Sequence, residues 1–142
     1  MNLKEEINKF LKNQRYLPLS LWNNFEVNHG NKKDEKQMFS LIKDTVKLKS
    51  GLYLYKKDKR ILYIGKAKSL KDRIKSHYRE SYKEVPGDRK DKGFHLFFSA
   101  KKNCGPVEIY WIEVASEDER IIFEAMLQYI LNPEFCQRGK HC

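Results

Sequence analysis

Tyr63, Arg73, His77 and Glu124 are the residues whose types and spacing could hydrolyse a phosphodiester. Such a reaction needs a base for the attacking water, positive charge for the developing oxyanion and help for the leaving oxygen. Tyr63 stands just before Gly65, and Lys66 follows three residues on. Arg73 and His77 are four apart, so a helix would place them on one face. A guanidinium can clamp phosphate through two parallel hydrogen bonds. Glu124 is a hard oxygen donor of the kind that suits Mg²⁺. Each also has a plainer use. Tyr53 and Tyr63 fit half-buried sheet positions, Arg73 and Lys66 fit a solvated basic surface, and His77 fits packing at a helix end. Glu124 can pair with Arg120 at i,i+4, worth only about 0.3–0.5 kcal/mol.

Those residues need elements to position them. Leu3, Ile7, Phe10 and Leu11 recur at helical spacing, predicting a helix over 3–13. Residues 23–31 read as loop. Asp34 could cap a second helix with Met38, Leu41, Ile42 and Val46 as its apolar stripe. From Gly51 the pattern turns to β-formers, Leu52–Tyr55 and Ile61–Ile64, separated by a polar turn; a hairpin broken by Gly65 is expected. Ser69 with Asp72 opens a helix striped by Leu70, Ile74 and Tyr78, and Ser116 with Glu119 opens another that ends at Asn132-Pro133. Residues 107–114 read as a strand. The apolar island Phe94–Phe98, inside a basic insertion at 79–105, fits helix or strand equally. The order predicts an α/β (α+β) domain on a small, largely antiparallel sheet.

Charge narrows the class of partner. Residues 56–102 hold 16 Lys/Arg against 6 Asp/Glu, while the rest of the chain holds 13 of each. The whole excess of +10 therefore sits in one stretch, where it would attract a phosphate backbone and release its counterions. Lys66, Lys68, Lys71, Arg73, Lys75, Arg79, Arg89, Lys90 and Lys92 are the expected nucleic-acid contacts. No apolar run is long enough to cross a bilayer, and the acidic, broken N-terminus does not read as a secretory signal. Cys104, Cys136 and Cys142 have no framework spacing, so the cytoplasm is the expected compartment.

Taken together, Gly51-Leu52-Tyr53, Tyr63-Ile64-Gly65, Lys66-Ala67, Leu70, Arg73, His77 and the later Glu124 resemble the GIY-YIG nuclease family, with Leu52 in place of the usual Ile. The resemblance covers about residues 50–136. It implies a three-stranded antiparallel sheet flanked by helices over residues 48–142, preceded by a helical extension at 1–47. It implies a metal-dependent DNA endonuclease in which Tyr63 activates water. Glu124 would hold one divalent ion, Mg²⁺ or Mn²⁺, and Arg73 would bind the scissile phosphate. Tyr53, Lys66 and His77 would orient water and phosphate oxygens. One position departs from the family: Glu134, Phe135 and Cys136 follow Pro133 where an asparagine is usual.

Because the resemblance fills most of the chain, restriction-like, sequence-specific cleavage is expected ahead of a modular homing enzyme or the multi-domain repair incision subunit. A catalytically idle binding module and a structure-specific nuclease are the alternatives. Cutting both strands from one active centre would call for a homodimer or two encounters.

Overall fold

A computed structural model describes residues 1–84 and 92–135, with Lys92 described in its backbone alone. Four strands form one fully antiparallel sheet in the order β1-β4-β2-β3. They are β1 (Asn23–His29), β2 (Gly51–Lys57), β3 (Arg60–Ala67) and β4 (Gly105–Glu113). Helices α1 (Leu3–Asn13) and α5 (Glu117–Leu131) cover one face. Helices α2 (Glu35–Val46), α3 (Leu70–Glu80) and α4 (Lys92–Phe98) cover the other.

The α/β class agrees with expectation, but the sheet has four strands where three were expected. The additional strand is β1, in the stretch read as loop. Its inward residues Phe25, Val27 and His29 alternate with Asn24, Glu26 and Asn28. As an edge strand paired only to β4, it needs one apolar side, and its asparagines imitate a loop in composition. The stretch before residue 48, read as two helices joined by a loop, thus contributes a strand to the sheet. Asp34 does not cap α2 with its side chain; it accepts a hydrogen bond from the Asn28 amide at 3.0 Å.

Central β2 is buried on both faces, and period-two alternation divides it. Tyr53 and Tyr55 face α2–α4, whereas Leu52 and Leu54 face α1 and α5. Across the hairpin, Tyr55 pairs with Tyr63 while Lys56 pairs with Ile61, leaving Leu62 as an extra residue. That irregularity lets Leu62 and Tyr63 join the same core cluster.

Gly65 does not break the strand as expected; β3 runs on to Ala67. Gly65 lies opposite Tyr53, and a Cβ there would fall 2.5 Å from the Tyr53 hydroxyl and 2.8 Å from Tyr63 Cε2. Gly51 is equally constrained, since a Cβ there would stand 2.0 Å from the Ile112 carbonyl oxygen. Both signature glycines are small because something presses on them. Phe94–Phe98 resolves as the helix α4.

Candidate active site

Tyr53 on β2, Tyr63 on β3 and His77 on α3 meet beneath α4. Their rings lie 5.6–5.9 Å apart, centroid to centroid. Ser69 caps α3 by accepting from the Asp72 N–H, which fixes where that helix starts and hence the direction of Arg73 and His77. The Tyr53 hydroxyl stands 2.7 Å from His77 Nε2. The Tyr63 hydroxyl also acts on it, lowering the affinity of Tyr63 for its proton and raising that of Tyr53. Two orders give each group a single proton, His77 Nε2–H to Tyr53 to Tyr63 or Tyr63 to Tyr53 to His77 Nε2 with the ring proton on Nδ1, and only the first survives once Tyr63 gives up its proton. Tyr63 then lies at the receiving end.

Burial dominates the titration of this chain. It holds Tyr53 well above the ordinary tyrosine range, and neighbouring Tyr63 and Tyr55 add to the effect. Burial also drives His77 well below 6.5, helped by Arg73 and by His29, so the imidazole is neutral. Tyr63 is pushed up to about 12 by burial first and by the Glu124 carboxylate second, against the opposing pull of Tyr53 and Arg73. Hence α3 and α5 bring Arg73 and Glu124 within electrostatic reach of Tyr63 on β3.

His77 is only 1% exposed. The expectation that it orients phosphate oxygens is corrected: it touches Tyr53, not a cleft. Lys66, Lys68 and Arg73 are exposed, and with Glu117 and Arg120 they line a polar cavity of about 300 Å³. Arg120 is itself buried and donates to the Val114 and Ala115 carbonyls at 2.8 and 2.9 Å, tying α5 to the end of β4. Glu124 is half-buried on α5.

The remaining expected contacts split away from this cavity. Lys75 and Arg79 sit over the Phe39 ring of α2 at 5.3 and 4.8 Å. Lys71 lines a different cavity, with Lys43, Lys47 and Leu48. Arg89, Lys90 and the Lys92 side chain lie outside the described residues, as does Cys136.

Several residues at the site escaped the sequence reading. Phe94 and Phe98 close over His77 at 4.5 and 5.0 Å, and Phe135 approaches Tyr63 at 5.7 Å. The Phe94–Phe98 island was visible, but nothing local said what it covers. Glu80, 1% exposed, joins α3 to α4 through His95 at 3.4 Å and also meets Lys83 at 3.2 Å. Beyond Pro133, Glu134 and Phe135 hydrogen-bond through their backbones to Ile61 and Leu62, and Glu134 grips Arg60 at 2.7 Å. Where the family usually keeps an asparagine nearby, this chain laces its segment to β3.

The UvrC-like GIY-YIG domain model matches residues 49–136. The chain belongs to that family. It is a nuclease domain of the UvrC type, a kinship ranked below the restriction-like reading on sequence. UvrABC system protein C of Aliarcobacter butzleri is 34% identical over 87 residues, which cover 61% of this chain but 13% of that protein. Two crystal structures of the GIY-YIG N-terminal endonuclease domain of UvrC from Thermotoga maritima are also similar. Both are point mutants bound to the catalytic divalent cation. They are 26% and 25% identical, with a TM-score of 0.48 over 73% of this chain and 96% of theirs. No described helix of this UvrC-like domain is long and apolar enough to cross a membrane.

Proposed function

We propose that this UvrC-like GIY-YIG domain is a divalent-metal-dependent DNA endonuclease that cuts one strand per encounter. The observation carrying the proposal is that Arg73 from α3 and Glu124 from α5 both act electrostatically on Tyr63 of β3. The donor set suits a hard, hydrated cation. Among the described residues no group of three or more His, Cys, Asp or Glu could cage a metal. A lone carboxylate supplemented by water and phosphate oxygens is how Mg²⁺ is commonly held, and Mn²⁺ can substitute. Glu124 would hold the ion, which when bound supplies charge neutralisation and polarises a phosphoryl oxygen.

The chain's own groups do the rest. Tyr63 accepts the proton of the attacking water. With the Glu124 charge neutralised, the second cause of its high proton affinity disappears, leaving burial opposed by Tyr53 and Arg73. Arg73 holds the scissile phosphate from the cavity wall, and Lys66 and Lys68 guide the flanking backbone. Tyr53, backed by His77, fixes the Tyr63 oxygen and stabilises its negative form. The phenylalanines of α4 and Phe135 exclude water behind the tyrosines. Residues 1–47 and 79–105 supply the substrate preference, acting beside the nuclease core at 48–142.

The test is supercoiled plasmid incubated with Mg²⁺ or EDTA, beside Glu124→Ala. Nicking that needs both the metal and Glu124 is expected. Equal nicking by the variant, or in EDTA, would contradict hydrolysis at this centre; bound but intact plasmid would favour the idle binding module. Discrete fragments would support restriction-like specificity. Nicks without fixed position favour a substrate chosen by shape, the outcome that UvrC-type kinship favours.

A further inference from the structure

The catalytic cavity accounts for Lys66, Lys68 and Arg73, yet a second basic concavity lies outside it. Lys43, Asp44, Lys47, Leu48 and Lys71 line a space of about 450 Å³ between the end of α2 and the start of α3. Leu48 is 87% exposed, the most exposed large apolar side chain among the described residues. It stands at the tip of a tight turn closed by the Lys49 N–H to the Val46 carbonyl at 3.1 Å. Lys47 in that turn has φ +51°, a backbone region that favours glycine. The turn therefore presents an apolar tip among three lysines and one aspartate. It does so at an awkward backbone angle instead of folding the leucine under α2.

The turn is also anchored to the catalytic side of the molecule. Ser50 donates its hydroxyl to the Lys68 carbonyl at 2.6 Å, and the Leu70 N–H donates to the Lys49 carbonyl at 3.1 Å. Lys71 leads along α3 to Lys75 and Arg79, each four residues on. A basic strip thus begins at the β3–α3 junction and runs along the α2–α3 side, away from Arg73. Lys43, Asp44, Lys47 and Leu48 precede the stretch matched to the family, whereas Lys71 lies within it, so the surface joins the chain's own N-terminal part to the family domain.

Resting on the reading of the chain as a DNA endonuclease, we propose that this turn is a second DNA contact, with Lys43, Lys47 and Lys71 on phosphates and Leu48 against a disrupted base step. Lysines neutralise the backbone without reading sequence. A protruding leucine gains most where a base pair is already unstacked, because intact stacking must otherwise be broken first. The surface would select bulged, mismatched or nicked duplex over continuous helix. An acidic protein could use the lysines, but it would not discriminate between two DNAs of equal charge.

The experiment measures binding of the full chain to labelled duplexes by fluorescence anisotropy in EDTA, comparing a fully paired duplex with one of the same total number of nucleotides that carries a two-nucleotide bulge. Wild type should prefer the bulge. Leu48→Ala should weaken bulge binding about tenfold and paired binding less than about twofold, erasing the preference. The double variant Lys43→Gln/Lys71→Gln should weaken both duplexes alike and reduce the slope of log affinity against log salt by about 2. Unchanged melting temperatures would certify the folds, as Leu48 contributes almost no buried surface. Equal effects of Leu48→Ala on the two duplexes, or an unchanged salt slope in the double variant, would overturn the proposal while leaving the endonuclease intact. A wild type that binds neither duplex and nicks no plasmid would overturn the DNA reading itself.

Discussion

The hydroxyl of Tyr53 lies 2.7 Å from Nε2 of His77, inside a core where both residues are 1% exposed. Tyr53 is a link between a buried imidazole and the reactive tyrosine. Tyr53→Phe keeps the ring over Gly65 but strands polar atoms on His77 and Tyr63. Leaving a buried group unpaired costs about 1–3 kcal/mol, whereas replacing both partners by apolar groups is far milder. Urea denaturation should therefore show Tyr53→Phe destabilised by about 1–2 kcal/mol and the double variant Tyr53→Phe/His77→Phe partly recovered. Nicking should be slow in both, with the loss in kcat. A double variant as active as wild type would remove the link from the mechanism.

The high proton affinity of Tyr63 predicts the pH profile. Pushed up to about 12 by burial and by Glu124, it is protonated at neutral pH, so the reactive fraction grows with pH. Under saturating Mg²⁺, log kcat should climb with a slope near about 1 through the neutral and mildly alkaline range. Tyr63→Phe should lose about 100-fold or more and with it the slope. A flat wild-type profile would assign the base elsewhere.

Acid should unfold this protein through its histidines. His29 is held down to about 3, by burial and then by Lys57, and burial first, then Arg73 and His29, holds His77 well below 6.5. The folded state thus binds fewer protons than the unfolded chain below about pH 6.5. Stability is fully present above that pH and falls as pH drops toward 3, at up to about 1.4 kcal/mol per pH unit for each histidine. His29 packs edge-on to Tyr55, Tyr78 and Phe98, so His29→Phe should fit the site and flatten the decline in urea midpoint. An unchanged pH dependence in that variant would show that His29 does not drive it.

Lys47 offers a trade between stability and binding. Its positive φ suits glycine, so Lys47→Gly should raise stability by about 0.5–1 kcal/mol. The same change removes a phosphate contact and loosens the Leu48 tip, so DNA affinity should fall. Thermal melts and anisotropy on one preparation would check both; a variant less stable than wild type would mean that the turn carries no strain.

Much of the fold and the candidate site was legible in the chain because it rests on local rules. Helix α5 announces itself by Ser116 and Glu119, and α3 by Ser69 and Asp72, since a cap is a contact over three residues. The β2–β3 hairpin follows from two β-forming runs and a polar turn. Tyr63, Arg73 and Glu124 could be named because their types and order match a known signature. Other features were illegible for the opposite reason. β1 hides among asparagines, as an edge strand needs only Phe25, Val27 and His29 turned inward, and its partner β4 lies about eighty residues away along the chain.

The reason for each signature glycine likewise exists only in three dimensions. Gly65 is small because Tyr53 crosses from the neighbouring strand, and Gly51 because the Ile112 carbonyl presses on it. Burial made the remaining decisions. It placed His77, expected to orient water and phosphate oxygens, against the Tyr53 hydroxyl, and it raised the proton affinity of Tyr63. Sequence by itself determined which groups were present, in what order, and where the positive charge lay. Tertiary structure decided which of them lost contact with water, because desolvation depends on neighbours that the chain brings together only by folding.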